Sequence, residues 1–288
     1  MKRILITGKN SYVGTSVKKY LKQWPKKYKV DELDVKGDEW KKYDFSKYDV
    51  VFHVAGIAHV DFKKADEATK KLYYKVNCDL AEETAKIAKK AGVKQFIFMS
   101  SAIVYGDSAS IGKKKVITKD TAPAPVNFYG DSKLQAEIKL TKLASKTFKI
   151  ALVRPPMIYG DGCKGNYPTL RKIALKLPVF PKVNNERSMI YINNFTAFIK
   201  EVIDNDQDGI LMPSNPDTIS TSEIVRTIAE ANNKKIVIVP GFAWTLKLLS
   251  RLTPFVNKAF GSMSYDIEKG NFQKYTTIES IQKMENIK

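Results

Sequence analysis

The sequence predicts an α/β fold in which a doubly wound parallel sheet is followed by a smaller C-terminal lobe. Short apolar segments alternate with amphipathic helical segments from residue 2 to about 155, and such alternation indicates parallel strands joined by right-handed crossovers. After Gly160 the alternation gives way to clusters of Gly, Asn and Pro. We therefore expect a first domain over 1–160, with residues near 188–204 returning to it, and a small lobe over 161–288.

The predicted strands are the short apolar segments, which span 2–7, 29–33, 49–54, 94–99 and 148–153. Apolar residues at helical spacing predict three helices, over 12–24, 72–91 and 127–145. Pro25 stops the first helix, Gly92 provides a C-cap for the second, and Asn127 can cap the N-terminus of the third. A sheet of this kind binds its ligand at the carboxyl ends of its strands.

The charge balance argues against a nucleic-acid partner. The 288 residues carry a formal net charge of +19, and only six of the 49 basic residues are arginine. Surfaces that read bases depend on arginine, whose planar fork binds guanine and phosphate through two hydrogen bonds. We therefore interpret the lysines as a solvated coat, whose positive field still attracts a substrate that carries a diphosphate.

The rarer residue types exclude further classes. Two cysteines, Cys78 and Cys163, are too few for a disulfide scaffold, and two histidines, His53 and His59, make a metal site unexpected. No apolar stretch is long enough to cross a membrane, and the first residues lack the apolar core of a signal peptide. A cytoplasmic protein without membrane insertion is the expectation.

The first predicted strand leads into a turn of the form Gly-x-x-Ser-x-x-Gly that opens a helix. Gly8 permits a positive φ, the small Ser11 lets backbone amides approach a pyrophosphate, and Gly14 lets the helix pack on the strand. The anion would lie at the helix N-terminus, where the N–H groups and the helix dipole favour it. The candidate cofactor-binding residues of the turn are Gly8, Ser11, Tyr12, Val13 and Gly14. The alternative is that the two glycines only shape a turn.

An acidic residue at the end of the second strand supports a dinucleotide ligand. Asp34 follows Gly14 by 20 residues, a distance at which a carboxylate accepts hydrogen bonds from both ribose hydroxyls and disfavours a 2′-phosphate. The turn and Asp34 together predict a Rossmann fold that binds NAD in preference to NADP. Lys36 weakens that preference.

A tyrosine and a lysine that lie four residues apart form the candidate catalytic centre. Tyr129 and Lys133 share one face of a predicted helix. A phenol has a pKa near 10, but a neighbouring ammonium and a positively charged nicotinamide both favour the phenolate. Ser101 follows a strand at the carboxyl edge, where its hydroxyl can hold a substrate oxygen in line with the tyrosine.

Four motifs in this order resemble the extended short-chain dehydrogenases/reductases. They are the turn 8–14, Ser-Ser-Ala-Ile-Val-Tyr-Gly at 100–106, Tyr-x-x-x-Lys at 129–133 and Arg-Pro-Pro-Met-Ile-Tyr-Gly at 154–160. Within that superfamily the chain looks most like the NAD-dependent epimerase/dehydratase group, over roughly residues 1–200.

The resemblance implies a role for each matching residue. Tyr129 would be the catalytic base, Lys133 would bind the nicotinamide ribose and lower the pKa of the tyrosine, and Ser101 would complete the triad. Further cofactor contacts would come from Asp44 and Phe45 near the adenine, Val54, Ala55 and Gly56 beside the phosphates, and Asn77 on the nicotinamide side. Asn166 and Arg187 would contact a nucleotide diphosphate.

The resemblance also implies a nucleotide-diphosphate sugar as substrate, a place in polysaccharide biosynthesis and a homodimer formed through helices near 78–91 and 128–144. Two departures bear on the reaction. Pro155-Pro156-Met157 stands where 4-epimerases of the group have an asparagine, and no acidic residue follows Ser101, which makes dehydration unexpected.

The leading hypothesis is an NAD-dependent nucleotide-sugar epimerase that inverts C4 of the sugar through a transient keto intermediate. The alternatives are an NAD(P)H-dependent 4-keto-sugar nucleotide reductase and, in another class, a cofactor-sensing binding protein without chemistry.

Other residues have plainer interpretations. We expect His53 to be a core histidine, His59 a loop residue near the cofactor, and Cys163 an unreactive thiol. Asn77 can alternatively cap a helix. The apolar and basic segment 242–260 suits packing on the lobe, or else a membrane surface.

Overall fold

The computed structural model of the chain describes residues 1–58, 65–241, 260–266 and 270–286. The interpretation of His59 falls outside these residues, as does that of segment 242–260 except for Phe260. The described chain forms two compact units. Unit 1 comprises residues 1–106, 123–155 and 196–213, and unit 2 comprises residues 107–122, 156–195 and 214–288.

Unit 1 is built on a parallel sheet of six strands. The strands are β1 (Lys2–Thr7), β2 (Tyr28–Leu33), β3 (Val50–His53), β4 (Gln95–Met99), β6 (Lys149–Val153) and β10 (Gly209–Leu211). Every neighbouring pair runs parallel, in the order β10-β6-β4-β3-β1-β2. The prediction of a parallel α/β fold is thereby confirmed.

The order of the strands reverses direction between β1 and β3. From β1 the chain moves outward to β2 at one edge, and every later strand is added on the other side of β1. The connections on the two sides therefore diverge and leave a crevice at the carboxyl ends of β1 and β3, where open α/β sheets bind ligands.

The helices of unit 1 follow the predicted order with different ends. They are α1 (Tyr12–Leu21), α2 (Glu67–Tyr74), α3 (Leu80–Lys90), α4 (Phe128–Thr141) and residues 196–204 of α6 (Ile192–Asp204). Short 3-10 turns lie at Glu39–Lys42, Phe45–Lys47 and Ala102–Tyr105. The single helix predicted over 72–91 begins earlier, and a π-helical turn, Lys75–Asp79, divides it.

One face of the sheet packs against α3 and α4 to form the core of unit 1. Phe96 and Phe98 project from β4 to this face, because alternate residues of a strand share one side. The helices meet the sheet through small residues, such as Ala85 and Ala136, which let the backbones come close. Leu140 and Phe148 extend the cluster. This packing fixes α4 against the carboxyl half of the sheet.

Within the described residues, unit 2 contains three small sheets and three further helices, with the first turn of α6. Its strands are β5 (Val116–Ile117), β7 (Met157–Tyr159), β8 (Val179–Pro181), β9 (Arg187–Tyr191), β11 (Thr218–Ile219), β12 (Val237–Val239) and β13 (Ser264–Tyr265). The helices are α5 (Asn166–Lys176), α7 (Thr221–Ala231) and α8 (Thr277–Asn286). Strand β9 lies between β11 and β7, while β12 pairs with β8 and β13 with β5.

Two kinds of feature are absent from the described residues. No helix in that part of the chain combines the length and the apolar character needed to cross a bilayer. Among the same residues, no group of three or more His, Cys, Asp or Glu side chains is placed to hold a metal ion.

Phe96→Ala is expected to lower the free energy of unfolding by about 3–5 kcal/mol, because it removes a fully buried ring and leaves a cavity. Ile210→Ala, on the edge strand of the same sheet where Ile210 is 52% exposed, should change it by less than about 1 kcal/mol. Urea denaturation followed by circular dichroism measures both values, and equal losses in the two variants would contradict this description of the core.

Candidate functional site

A cleft of about 860 Å³ lies in unit 1 where the strand order reverses. Its walls are the turn after β1, the end of β2, the loop after β3 and one side of α2, the π-helical turn and α3. The lining residues that the sequence singled out are Gly8, Ser11, Asp34, Val54, Ala55 and Gly56. These residues come from three separate stretches of sequence, and the parallel sheet brings them to one edge.

The glycine turn brings two backbone segments into contact. Gly8 has a φ of +105°, and a Cβ atom there would lie 2.7 Å from the backbone nitrogen of Ala55. A Cβ on Gly14 would lie 2.6 Å from Ser11 Oγ and 2.9 Å from the side chain of Ile6. Both glycines are therefore required by space, and the first also by its backbone conformation.

Ser11 has a second role that the sequence reasoning missed. It is the N-cap of α1, and its hydroxyl oxygen accepts a hydrogen bond from the backbone N–H of Gly14 at 3.1 Å. Capping fixes the direction in which the first turn of α1 faces the cleft, with Tyr12 and Val13 as its first two residues.

The charges around the cleft suit an anionic ligand. Asp34 follows β2 and accepts a hydrogen bond from the backbone N–H of Lys36 at 3.1 Å. Lysines line the same cleft at positions 9, 36, 41, 71 and 75. Asp38, Asp79 and Glu83 line the cleft as well, and Lys41 forms ion pairs with Asp38 and Glu83. The other lysines can attract a diphosphate, while Asp34 presents a carboxylate of the kind that binds a ribose diol.

Asp44 and Phe45 do not line this cleft. Phe45 is buried in the core of unit 1. Asp44 caps the short helix Phe45–Lys47, accepting a hydrogen bond from the backbone N–H of Ser46 at 3.0 Å. Their role near an adenine therefore stays a prediction.

The side chain of Ser101 lies near the Tyr129 phenol. Tyr129 lies in the first turn of α4, which Asn127 caps by accepting a hydrogen bond from the Gly130 N–H at 2.9 Å. Burial raises the pKa of Tyr129 to about 12, and the neighbouring Ser101 hydroxyl acts in the opposite direction. A phenol and a hydroxyl so arranged can take a proton from a substrate alcohol once a positive charge stabilises the phenolate.

Lys133 follows Tyr129 by one turn of α4 and is the candidate for that positive charge. Its side chain is buried, and its ammonium donates a hydrogen bond to the carbonyl oxygen of Met99 at 2.9 Å and lies 4.7 Å from the centre of the Phe98 ring. Burial lowers the pKa of Lys133 to about 8, and the carboxylate of Glu137 acts in the opposite direction. The ammonium thus reaches the loop after β3, where a Cβ on Gly56 would lie 3.1 Å from Lys133 Nζ.

Asn77 connects this loop to α4. Its amide oxygen accepts from the Ile57 N–H at 2.9 Å, and its amide nitrogen donates to the Ile57 carbonyl at 3.0 Å and to Ser132 Oγ at 3.2 Å. Asn77 is fully buried inside the π-helical turn, so it does not cap a helix. Such turns occur often at functional sites.

Asn166 and Arg187 belong to unit 2. Asn166 is the first residue of α5, and Arg187 is the first residue of β9. Burial lowers the pKa of Arg187 to about 10. Cys163 lies in the same unit, and burial raises the pKa of its thiol, which opposes formation of a reactive thiolate.

His53 is a core residue, as expected, but only one of its ring nitrogens is satisfied. Nδ1 is hydrogen-bonded to the hydroxyl of Thr7 at 2.8 Å, while Nε2 has no hydrogen-bond partner among the described residues. Burial, together with the nearby charge of Lys133, lowers the pKa of His53 to about 3. The ring is therefore neutral at physiological pH.

The sequence reasoning overlooked Glu137 and gave Arg154 no role beyond its motif. Their side chains form a buried ion pair in which Arg154 Nη2 lies 2.5 Å from Glu137 Oε2. Glu137 follows Lys133 by four residues, which places it on the same face of α4 as Tyr129 and Lys133. A row of three titratable residues on one helix face was the signal that could have revealed it.

Comparison with known proteins agrees with this geometry. The sequence profile of the NAD dependent epimerase/dehydratase family matches residues 4–211. UDP-glucose 4-epimerase of Vibrio cholerae is 33% identical over 291 aligned positions, which cover 92% of this chain and 88% of that protein.

Solved structures share the fold at lower identity. UDP-glucuronic acid 4-epimerase from Bacillus cereus, in complex with NAD, superimposes with a TM-score of 0.70 at 16% identity, covering 98% of this chain and 96% of that one. dTDP-4-dehydrorhamnose reductase from Bacillus anthracis, in complex with NADP, gives a TM-score of 0.71 at 19% identity, covering 99% and 98%.

Gly8→Ala is expected to weaken dinucleotide binding at least about tenfold, because the added Cβ collides with the backbone of the loop after β3. Gly37→Ala is the matched control. Gly37 lines the same cleft with a φ of +66°, but nothing lies within 4 Å of its added Cβ. Calorimetric titration with NAD compares the two variants, and equal affinities would show that the contact with Ala55 does not shape the cofactor cradle.

Proposed function

Because this chain belongs to the NAD-dependent epimerase/dehydratase family, we propose that it is an NAD-dependent nucleotide-sugar epimerase that inverts C4 of a UDP-sugar. The observation that carries the proposal is that Tyr129 and Lys133 lie one turn apart on α4, where the Lys133 ammonium is hydrogen-bonded to the carbonyl of Met99 at the strand end that precedes Ser101. The alignment with UDP-glucose 4-epimerase over 92% of the chain supports both the reaction and the nucleotide.

The residues of unit 1 fit NAD. The close approach of Gly8 to Ala55 forms a cradle that a Cβ would fill, and the N-terminus of α1 presents N–H groups to a diphosphate. Asp34 would accept hydrogen bonds from the adenosine ribose. Lys133 would donate a hydrogen bond to the nicotinamide ribose, at the other end of the cofactor. When bound, NAD supplies a reversible acceptor for the hydride of the sugar carbon.

The residues of the chain then handle the proton. Ser101 donates a hydrogen bond that holds the C4 oxygen of the sugar, and the Tyr129 phenolate accepts the hydroxyl proton as C4 is oxidised to the ketone. The sugar turns, the ketone is reduced on its other face, and Tyr129 returns the proton to the oxygen. Lys133 stabilises the phenolate at each stage through its positive charge.

The domain roles follow from the same proposal. Unit 1 is the NAD-binding domain, and unit 2 is the substrate-binding lobe in which Asn166 and Arg187 bind the nucleotide diphosphate. A guanidinium can hold such a group through two parallel hydrogen bonds.

The proposal places the enzyme in the cytoplasm, which the unpaired state of both cysteines supports.

A keto-sugar reductase is the second candidate. The observation that favours it is the fold shared with dTDP-4-dehydrorhamnose reductase, at a TM-score of 0.71. The epimerase is better supported, because its relative is 33% identical whereas the reductase is 19% identical. A purely cofactor-sensing protein would not need the Tyr129 and Lys133 pair.

Tyr129→Phe is expected to lower kcat by about 10²–10⁴-fold, since it removes the group that accepts the proton. NAD affinity should stay within about twofold of the wild type, because the ring is kept. Proton NMR of UDP-glucose and UDP-galactose interconversion measures turnover, and calorimetry measures NAD binding. Stoichiometric consumption of NADH with product would instead select the reductase.

The pH dependence follows from two groups with opposite requirements. Once NAD is bound, the positive charges of the nicotinamide and Lys133 must lower the pKa of Tyr129 from about 12 to below that of Lys133, which is about 8. Activity then rises with pH as Tyr129 loses its proton and falls above about pH 8 as Lys133 loses its own. The expected profile of kcat is therefore a bell. A rate that keeps rising to pH 10 would contradict the role of the Lys133 charge.

We expect a homodimer formed through α3 and α4. Ile138 is 44% exposed on the outer side of α4, which suits an apolar contact with a second copy. Ile138→Glu should convert the dimer to a monomer in light scattering at micromolar concentration, while Lys142→Glu, a charge change just beyond the same helix, should leave it dimeric. A monomeric wild type would refute this expectation.

A further inference from the structure

The buried pair Glu137–Arg154 is the feature of unit 1 that the proposed reaction leaves unexplained. Both side chains are at most 4% exposed. Arg154 Nε donates to Glu137 Oε1 at 3.0 Å and Oε2 at 3.2 Å, and Nη2 donates to Oε2 at 2.5 Å. Removing two charges from water is costly, and an apolar pair of the same size often stabilises a fold as well. A stabilising role alone is therefore a weak explanation.

Each partner is attached to a segment that carries a catalytic group. Glu137 lies one turn after Lys133 and two turns after Tyr129 on α4. It also accepts a hydrogen bond from the Ser100 hydroxyl at 2.5 Å, and Ser101 is the next residue. Through this hydrogen bond Glu137 joins the helix of Tyr129 and Lys133 to the strand end that precedes Ser101, and through the ion pair it joins that helix to Arg154.

Arg154 extends the connection to the other side of Ser101. Its Nη1 donates to the phenol oxygen of Tyr105 at 2.8 Å, and the phenol donates to the sulfur of Met212 at 3.0 Å. Tyr105 closes the short helix that Ser101 caps. The backbone N–H of Arg154 donates to the carbonyl of Leu211 at 2.8 Å, which holds the arginine at the end of the sheet.

We propose that Glu137 and Arg154 are positioning residues for the catalytic group. Their ion pair sets the separation of Ser101, Tyr129 and Lys133 and holds a negative charge one helical turn from the Lys133 ammonium. The inference rests on the proposed function, since it concerns the residues of that site. An error of about 1 Å in the placement of reacting groups can reduce a rate about 10²-fold, so a rigid connection of this kind affects turnover directly.

The charged and titratable groups around Lys133 determine how a substitution will change its protonation. Glu137 and Tyr129 lie on its own helix, and Arg154 faces Glu137 from the end of β6. From β3 His53 contributes no charge, because burial lowers its pKa to about 3. Glu137 is therefore the carboxylate that keeps Lys133 protonated against the effect of burial.

Glu137→Gln tests the connection and the charge together. We expect kcat to fall about 10–100-fold with KM for the UDP-sugar within about threefold, because the loss affects reacting geometry rather than binding. The alkaline limb of the pH profile should move to lower pH, since Lys133 loses its proton more easily without the carboxylate. Glu67→Gln, at an exposed ion pair with Lys70, is the control and should leave kcat and the profile unchanged.

The double variant Glu137→Gln/Arg154→Met separates positioning from stability. It removes both buried charges, so we expect it to fold with a melting temperature close to that of the wild type, yet to keep the lowered kcat and the shifted alkaline limb. A folded double variant with wild-type kcat and pH profile would overturn the proposal. If it does not fold, Glu137→Asp decides. The proposal requires that Glu137→Asp, which keeps the negative charge, has a lower kcat with an unshifted alkaline limb. A wild-type kcat in this variant would refute the proposal.

A readout without turnover distinguishes this inference from the proposed function. NMR titration of ¹³C-labelled lysine, with Lys133 identified from Lys133→Arg, reports the protonation of Lys133 in the cofactor-free protein. A lower Lys133 pKa in Glu137→Gln supports the inference even if no UDP-sugar is turned over. A lack of turnover in the wild type would contradict only the proposed function. An unchanged Lys133 titration would contradict the inference even if the wild type is an active epimerase.

Discussion

The hydrogen bond from the Lys133 ammonium to the Met99 carbonyl is the interaction on which the rest of the site depends. It places a positive charge in a buried position beside the end of β4, where burial lowers the pKa of the lysine to about 8. Gly56 leaves room for the ammonium, because a side chain there would come within 3.1 Å of it. A chemically useful phenolate on Tyr129 requires a stabilising positive charge, since burial, with a smaller effect of Tyr73, raises the pKa of the phenol to about 12 against the effect of Ser101.

The other constraint is topological. The reversal of strand order beside β1 opens the crevice, and the parallel direction of the strands delivers the turn after β1, Asp34 and the loop after β3 to its walls. Asn77 joins that loop to α4 through hydrogen bonds to Ile57 and Ser132. The cleft and the candidate catalytic residues are thus connected within unit 1.

Buried polar side chains hold the candidate catalytic residues in place, and each of them satisfies two partner groups. The amide of Asn77 satisfies both backbone groups of Ile57, and the carboxylate of Glu137 satisfies both Arg154 and Ser100. Such networks are favourable only when every member has a partner, because an unpaired polar group in the interior is costly. Because the polar atoms of Asn77 and Glu137 have partners, the polar face of α4 can lie against the sheet.

The sequence by itself determined the α/β class, the five long strands and the approximate positions of the helices in the first 155 residues, and the chemistry available in the turn, in Asp34 and in Tyr129, Ser101 and Lys133. These features are local, since they depend on periodicity, on glycine conformations and on spacing within one helix. Only the tertiary structure decided that Asn77 lies in a π-helical turn, that Phe45 is in the core, and that Glu137 meets Arg154. Those outcomes depend on contacts between distant parts of the chain, and no local pattern encodes which buried partner a polar side chain will find.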